Sequence, residues 1–195
     1  MNQPLLYSSC ATAALACVLV APANAATSCA ALAQELHLPN TTITLAAEVP
    51  AGSFKLPGPG GPGGPGGPGM DLSALPSFCR VAGTIRPTAD SDIRFEVWMP
   101  LTGWNGKFVA GGTGVWAGSI AYGDMVGPLG RGYATAASDV GHQGSPLDGT
   151  FLVGHPEKLT DFGHRAVHES TVAAKAAIAK FYGEGPQRSL YASCS

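Results

Sequence analysis

The hydrophobic pattern along this chain changes period several times, and each change marks an element. Leu5 to Ala21 is an apolar, Ala-rich run, and Pro22-Ala23-Asn24-Ala25 supplies a small-x-small cleavage site before Ala26. Met1 to Ser9 lacks the basic residues of an ordinary export signal. The run is nevertheless too short and too rich in alanine for a membrane span. Residues 1–25 are therefore expected to be an export signal, giving a secreted or periplasmic protein with no membrane partner. Residues 26–56 form an N-terminal extension, in which Ser28 to Leu36 predicts a short capped helix and Thr41 to Leu45, rich in β-branched residues, a strand. Residues 57–69 repeat Gly-Pro and Gly-Gly-Pro without the strict register of collagen, which predicts a solvated surface loop.

Beyond position 70 the pattern becomes that of an ordered domain. Cys79 to Ile85 reads as a strand, and Ile93 to Met99 alternates apolar with polar residues, as a half-exposed strand does. Lys107 to Ala110 is a short buried strand running into glycines, and Tyr133 to Ser138 is another of small apolar residues. Asp161 to Tyr182 has the period of a helix, with Asp161 placed to cap its start and Gly183 its end. Phe162, Ala166, Val167, Ala173, Ala174, Ala177, Ile178 and Phe181 share its apolar side. Gly185-Pro186 then turns the chain into a last strand, Leu190 to Ala192. Strands alternating with helices and Gly-rich loops predict an α/β sheet with crossover helices.

Composition narrows the class. A chain of 195 residues makes one domain or a little more. Its net charge of -2, with Lys and Arg scattered, gives no nucleic-acid footprint. Of the five cysteines, Cys10 and Cys17 fall within the export signal, leaving Cys29, Cys79 and Cys194. Cys29 with Cys79 is the natural bridge in an oxidising compartment. Cys194 is then left over, which suggests an incomplete chain.

Three groups of residues carry candidate chemistry. Ser193-Cys194-Ser195 follows the last strand, where an α/β hydrolase places its nucleophile on a strained strand-to-helix turn. Gly111-Gly112-Thr113-Gly114 follows an early strand and offers backbone N–H groups to a developing oxyanion. Gly112 and Gly114 are both candidates for that donor. His164 and His168 lie four apart on a polar helix face, but Arg165 stands where a zinc protease has glutamate, so surface polar contacts are expected and no metal is assigned. Asp139 and His142 sit at a strand end, where a triad with Ser195 is conceivable, and His155 precedes Pro156 in a loop that it is expected to order.

From Phe78 onward the chain resembles the tannase family, which also holds feruloyl esterases and a terephthalate-monoester hydrolase. The resemblance lies in Phe78-Cys79-Arg80-Val81, Phe95 to Pro100, Trp104 to Phe108, Ala117 to Ile120, Arg131 to Ala134, Ser138 to His142, Gly154 to Lys158 and Asp161 to Ala166. It implies an incomplete α/β-hydrolase sheet, with residues 70–195 as the N-terminal part of a catalytic domain. The family's Gly-Cys-Ser elbow matches Ser193-Cys194-Ser195, which makes Ser195 the nucleophile and gives Cys194 a partner beside a histidine outside this chain. The resemblance implies a structural role for Asp139 and His142, no cofactor, and a lid calcium site that this chain lacks. Thr113 and Val115 depart from the family's usual Gly-Asn-Gly-Gly. The implied reaction is hydrolysis of a small aromatic-acid ester such as a gallate or ferulate, with the triad acid and histidine downstream.

Two other readings compete. A non-catalytic polymer-binding module would place aromatics on a flat strand face, but Trp98, Trp104 and Trp116 fall in strand, turn and Gly-loop contexts. A fragment without activity of its own would keep the family's chemistry and lack the groups that activate Ser195.

Overall fold

The computed structural model describes residues 27–57 and 71–193. The expected export signal, most of the Gly/Pro segment, Cys194 and Ser195 lie outside the described residues. Six strands are formed: β1 (Thr41–Val49), β2 (Phe78–Ile85), β3 (Ile93–Pro100), β4 (Lys107–Gly111), β5 (Ala134–Ser138) and β6 (Arg188–Ala192). They make one sheet in the order β1-β2-β3-β5-β4-β6. β1, β2 and β3 form an antiparallel meander, and β5 is antiparallel to β3. β5, β4 and β6 run parallel to one another. Parallel neighbours need crossovers, and helices supply them. α2 (Tyr122–Gly130) joins β4 to β5, while α3 (Pro156–Thr160), a π-turn (Asp161–Arg165) and α4 (Ala166–Tyr182) join β5 to β6. In the extension, α1 is confined to Leu32–Glu35, shorter than the predicted helix, and β1 runs four residues past the predicted strand end.

Side chains on a strand alternate between faces, and on β3 both faces are covered. Its odd-numbered residues Ile93, Phe95, Val97 and Met99 join Val81, Ala173, Ala174, Ala177 and Ile178 in one core cluster. On the opposite face Trp98 packs with Phe54, Phe78, Tyr122, Met125 and Leu129. β3 is thus not half-exposed, as its alternation suggested: Glu96, the polar residue on the second face, is 3% exposed. Its carboxylate accepts bonds from Arg80 Nε (2.8 Å), Trp98 Nε1 (2.8 Å) and the Tyr122 hydroxyl (2.7 Å). A buried charge is tolerated only when paired and hydrogen-bonded in this way. Burial, followed by the charge on Glu96, pushes the Tyr122 hydroxyl well above its ordinary pKa.

α2 escaped the sequence reading because Gly123, Gly127, Pro128 and Gly130 are poor helix residues. Burial overrides that preference: Tyr122, Met125 and Leu129 recur at helical spacing and all face the core. Asp161 also differs from its predicted role. The helical run begins five residues earlier at Pro156, which occupies the first turn. Asp161 therefore has helical angles, is fully buried, and pairs with Arg165 (Oδ1 to Nη1 3.1 Å) instead of capping. Gly183 does end α4, in the left-handed conformation at φ 79°.

The extension is bound at two levels. β1 pairs with the whole of β2, with a bulge between Ile43 and Leu45. Cys29 and Cys79 are disulfide-bonded, with Cα atoms 5.6 Å apart. Among the described residues no helix is long and apolar enough to cross a membrane.

Candidate active site at the carboxyl ends of the parallel strands

In an open α/β sheet, groups that act on ligands gather beyond the carboxyl ends of the parallel strands. Here that edge is made by the loop after β4, the turn after β5 and the residues after β6. The β4 loop carries the candidate glycines. Gly112 donates its N–H to Ala192 O (2.8 Å), extending the β4–β6 ladder by one bond. One residue on, Ser193 Oγ donates to Thr113 O (3.1 Å). These two bonds join the end of β6 to the glycine loop. Glycine leaves room here for the end of β6, because a Cβ at 112 would lie 2.3 Å from Tyr191 Oη and 2.4 Å from Ser193 Oγ and would push both side chains aside.

The rest of the loop is a tight turn. Thr113 Oγ1 donates to Ala117 O (3.0 Å), and Ala117 N–H to Gly114 O (3.1 Å). Val115 sits at φ 52°, a conformation that a β-branched residue adopts only under constraint. The N–H groups of Thr113, Gly114 and Val115 donate to no acceptor among the described residues. Gly112 is committed to Ala192, whereas Gly114 keeps its donor. A run of uncommitted N–H groups beside a strand end is suited to a negatively charged oxygen.

The turn after β5 faces this loop. Asp139 Oδ1 accepts from the N–H groups of Arg94 (2.9 Å) and Gly141 (3.1 Å), while Asp139 N–H bonds to Arg94 O (2.9 Å). Burial pushes the Asp139 carboxyl up to about 7, against the pull of those N–H donors. Val140 (φ 52°) and Gly141 (φ 89°) follow, and the backbone at Gly141 packs so closely on Asp161 that a Cβ there would sit 2.8 Å from Asp161 Cβ. His142 then lies with Nε2 2.9 Å from Trp116 O, and its ring stacks on Phe151 with centroids 3.5 Å apart. Burial holds the imidazole below its ordinary pKa.

The remaining histidines are occupied or exposed. His155 Nδ1 lies 2.8 Å from Asp90 Oδ1, tying its loop to the β2–β3 turn. His164 and His168 are exposed on the helical run. Among the described residues, no group of three or more His, Cys, Asp or Glu is placed to hold a metal ion. Sequence reasoning missed the joint between Ser193 and Thr113, since nothing local couples residues 80 positions apart, and it missed the contact of His142 with the glycine loop. The signal for the buried Glu96 was visible in Phe95-Glu96-Val97-Trp98, a lone acid in an otherwise apolar run.

Comparison with known proteins places this arrangement. The model of the family "Tannase and feruloyl esterase" matches residues 79–195. An uncharacterized esterase of Xanthomonas campestris pv. campestris is 41% identical over 177 residues, covering 91% of this chain and 29% of its own length. The probable feruloyl esterase B-2 of Aspergillus terreus is 35% identical over 167 residues, covering 86% of this chain and 31% of its own. The chain thus spans under a third of the length of these curated relatives. The crystal structure of feruloyl esterase B from Aspergillus oryzae superposes with a TM-score of 0.73 at 28% identity, over 85% of this chain and 31% of that one. The six-stranded mixed sheet with its crossover helices is thus of the α/β-hydrolase type. On its sequence, its sheet order and these likenesses, the chain belongs to the tannase and feruloyl esterase family.

Proposed function

We propose that this chain is the nucleophile-bearing part of an exported serine ester hydrolase acting on small aromatic-acid esters. The observation that carries the reading is the joint between the end of β6 and the glycine loop, made by Gly112 with Ala192 and by Ser193 with Thr113. Ser195 lies two residues past Ser193, a covalent tether of at most about 7 Å. A serine held on such a tether can attack an ester carbonyl whose oxygen rests on the N–H groups of Gly114 and its neighbours. The tetrahedral oxyanion would be bound by those N–H groups, the alcohol would leave, and water would release the acid from the acyl-serine. No cofactor enters these steps.

The serine needs a base. His142 is engaged with Trp116, His155 with Asp90, and His37, His164 and His168 are exposed. In this reading the base and its acid come from polypeptide outside these 195 residues, consistent with relatives about three times as long. The Cys29–Cys79 bridge supports export, since such bonds persist in oxidising compartments. The aromatic acyl group rests on the names of the relatives.

The test is hydrolysis of methyl ferulate by the complete gene product and by its Ser195→Ala variant. Loss of about 10³-fold or more in kcat is expected. Turnover that survives the substitution would overturn the assignment. The 195-residue polypeptide alone should hydrolyse the ester no faster than its own Ser195→Ala control.

A further inference from the structure

The turn that ends β5 is built at a conformational cost. Val140 is β-branched yet left-handed at φ 52°, a conformation that persists only where the surroundings hold it. Asp139 holds the turn in place by accepting from Arg94 and Gly141. The result places the His142 ring beneath the glycine loop, where it is 5% exposed. Phe151 covers one face of the ring. Its Cδ2 edge lies against Gly118, where a Cβ would come within 2.6 Å. Nε2 meets the carbonyl of Trp116 at 2.9 Å. A carbonyl only accepts, so Nε2 carries the proton, and Nδ1 is buried with no partner among the described residues.

Trp116 is the residue directly after the second left-handed valine, Val115. The His142 bond therefore anchors the peptide that closes the kink of the glycine loop. Trp116 N–H bonds Pro146 O (3.2 Å), and Gly118 bridges to Gly144, so both loops are held along their length. Of these contacts, the imidazole bond is the one made by a side chain.

We propose that His142 is a positioning residue: its Nε2–H fixes the glycine loop in the left-handed turn at Val115 and so presents the N–H groups of residues 113–115 beside the end of β6. This deepens the ester-hydrolase reading and rests on it for its catalytic meaning.

The test uses two variants and readouts that need no turnover. His142→Phe keeps the stacked ring and removes the donor, whereas His142→Gln keeps an N–H near the position of Nε2. Nitrogen-15 spectra of the wild-type ring should show a protonated Nε2 and a bare Nδ1. His142→Phe should speed amide exchange at Trp116, Ala117 and Gly118, whose N–H groups are bonded to the carbonyls of Pro146, Gly114 and Gly144, by about tenfold, the worth of one hydrogen bond. Exchange in β2 and β3 should stay unchanged, and His142→Gln should restore most of the protection. A proton on Nδ1 would overturn the proposal, as would unchanged loop exchange in a folded His142→Phe variant or failure of His142→Gln to rescue. Should His142→Phe not fold, the wild-type ring spectrum and His142→Gln still decide. In the complete gene product, His142→Phe should lower kcat with KM little changed, and a change confined to KM would count against the proposal. Because the spectra are independent of catalysis, an inactive enzyme with the expected ring and loop behaviour would refute the ester reading alone.

Discussion

At the scale of single residues, buried carboxylates divide into two kinds. Glu96 is surrounded by donors from Arg80, Trp98 and Tyr122 within the sheet face. Asp139 has two backbone donors on one oxygen, and its other oxygen has no partner among the described residues. Burial therefore dominates and raises its pKa to about 7. The sign follows from linkage. In the unfolded chain Asp139 ionises near its ordinary value of 3.8, while in the folded protein it holds its proton to about 7. Its contribution is full below that lower value and is lost as pH rises from about 4 to about 7. Urea unfolding should show a decline of about 2–4 kcal/mol across this range from this residue, at about 1.4 kcal/mol per unit. Asp139→Asn, which keeps an acceptor for Arg94 and Gly141, should flatten the profile. An unchanged slope in the variant would show that the carboxyl titrates normally.

At the scale of elements, most of the architecture was legible from the pattern and some was not. β2 through β5 fall within a residue or two of their predicted limits, because runs of β-branched and aromatic residues bounded by Gly and Pro carry a strong local signal. The covering of β3 was hidden, since alternation records that two faces differ and not whether both are buried. Phe54 and Tyr122, which close the second face, lie 44 residues before and 24 after Trp98 in the sequence. The glycine loop could be found from composition alone. Its attachment to β6 and its anchoring by His142 depend on contacts that no local pattern encodes, whereas the helix start at Pro156 had a local signal in the proline itself. The bridge between Cys29 and Cys79 was expected, and it ties the extension to β2 across a separation of 50 residues. Closing a loop of that size stabilises by about 2–4 kcal/mol. A Cys29→Ser, Cys79→Ser double variant should lose that amount in denaturant titration. Its earliest loss of amide protection should fall in α1 and β1, and uniform loss across all six strands would contradict the local role assigned to the bridge.

At the scale of the whole molecule, the two edges of the sheet are unequal. β1 closes one edge, reinforced by the disulfide. β6 forms the other, and every one of its residues is exposed, with Leu190 at 52% and Tyr191 at 57%. Among the described residues it is bonded along one side only, to β4. A strand with free N–H and C=O groups and apolar side chains is a template for pairing with another chain. This 195-residue polypeptide should therefore self-associate as its concentration rises in sedimentation velocity. Leu190→Lys, which sets a charge on the open strand, should shift it toward monomer. Monomeric behaviour of the unsubstituted chain throughout the series would show the edge to be harmless.

The sheet order also imposes a timetable on assembly. The meander β1-β2-β3 pairs neighbours in sequence order and can zip up as soon as each turn has emerged. β4 cannot dock beside β3, because its place there belongs to β5, which is made more than 20 residues later. The glycine loop, leaving from β4, must wait for β5 to insert and for the turn after it to deliver His142. Its shape is thus set late, by a strand that arrives after it.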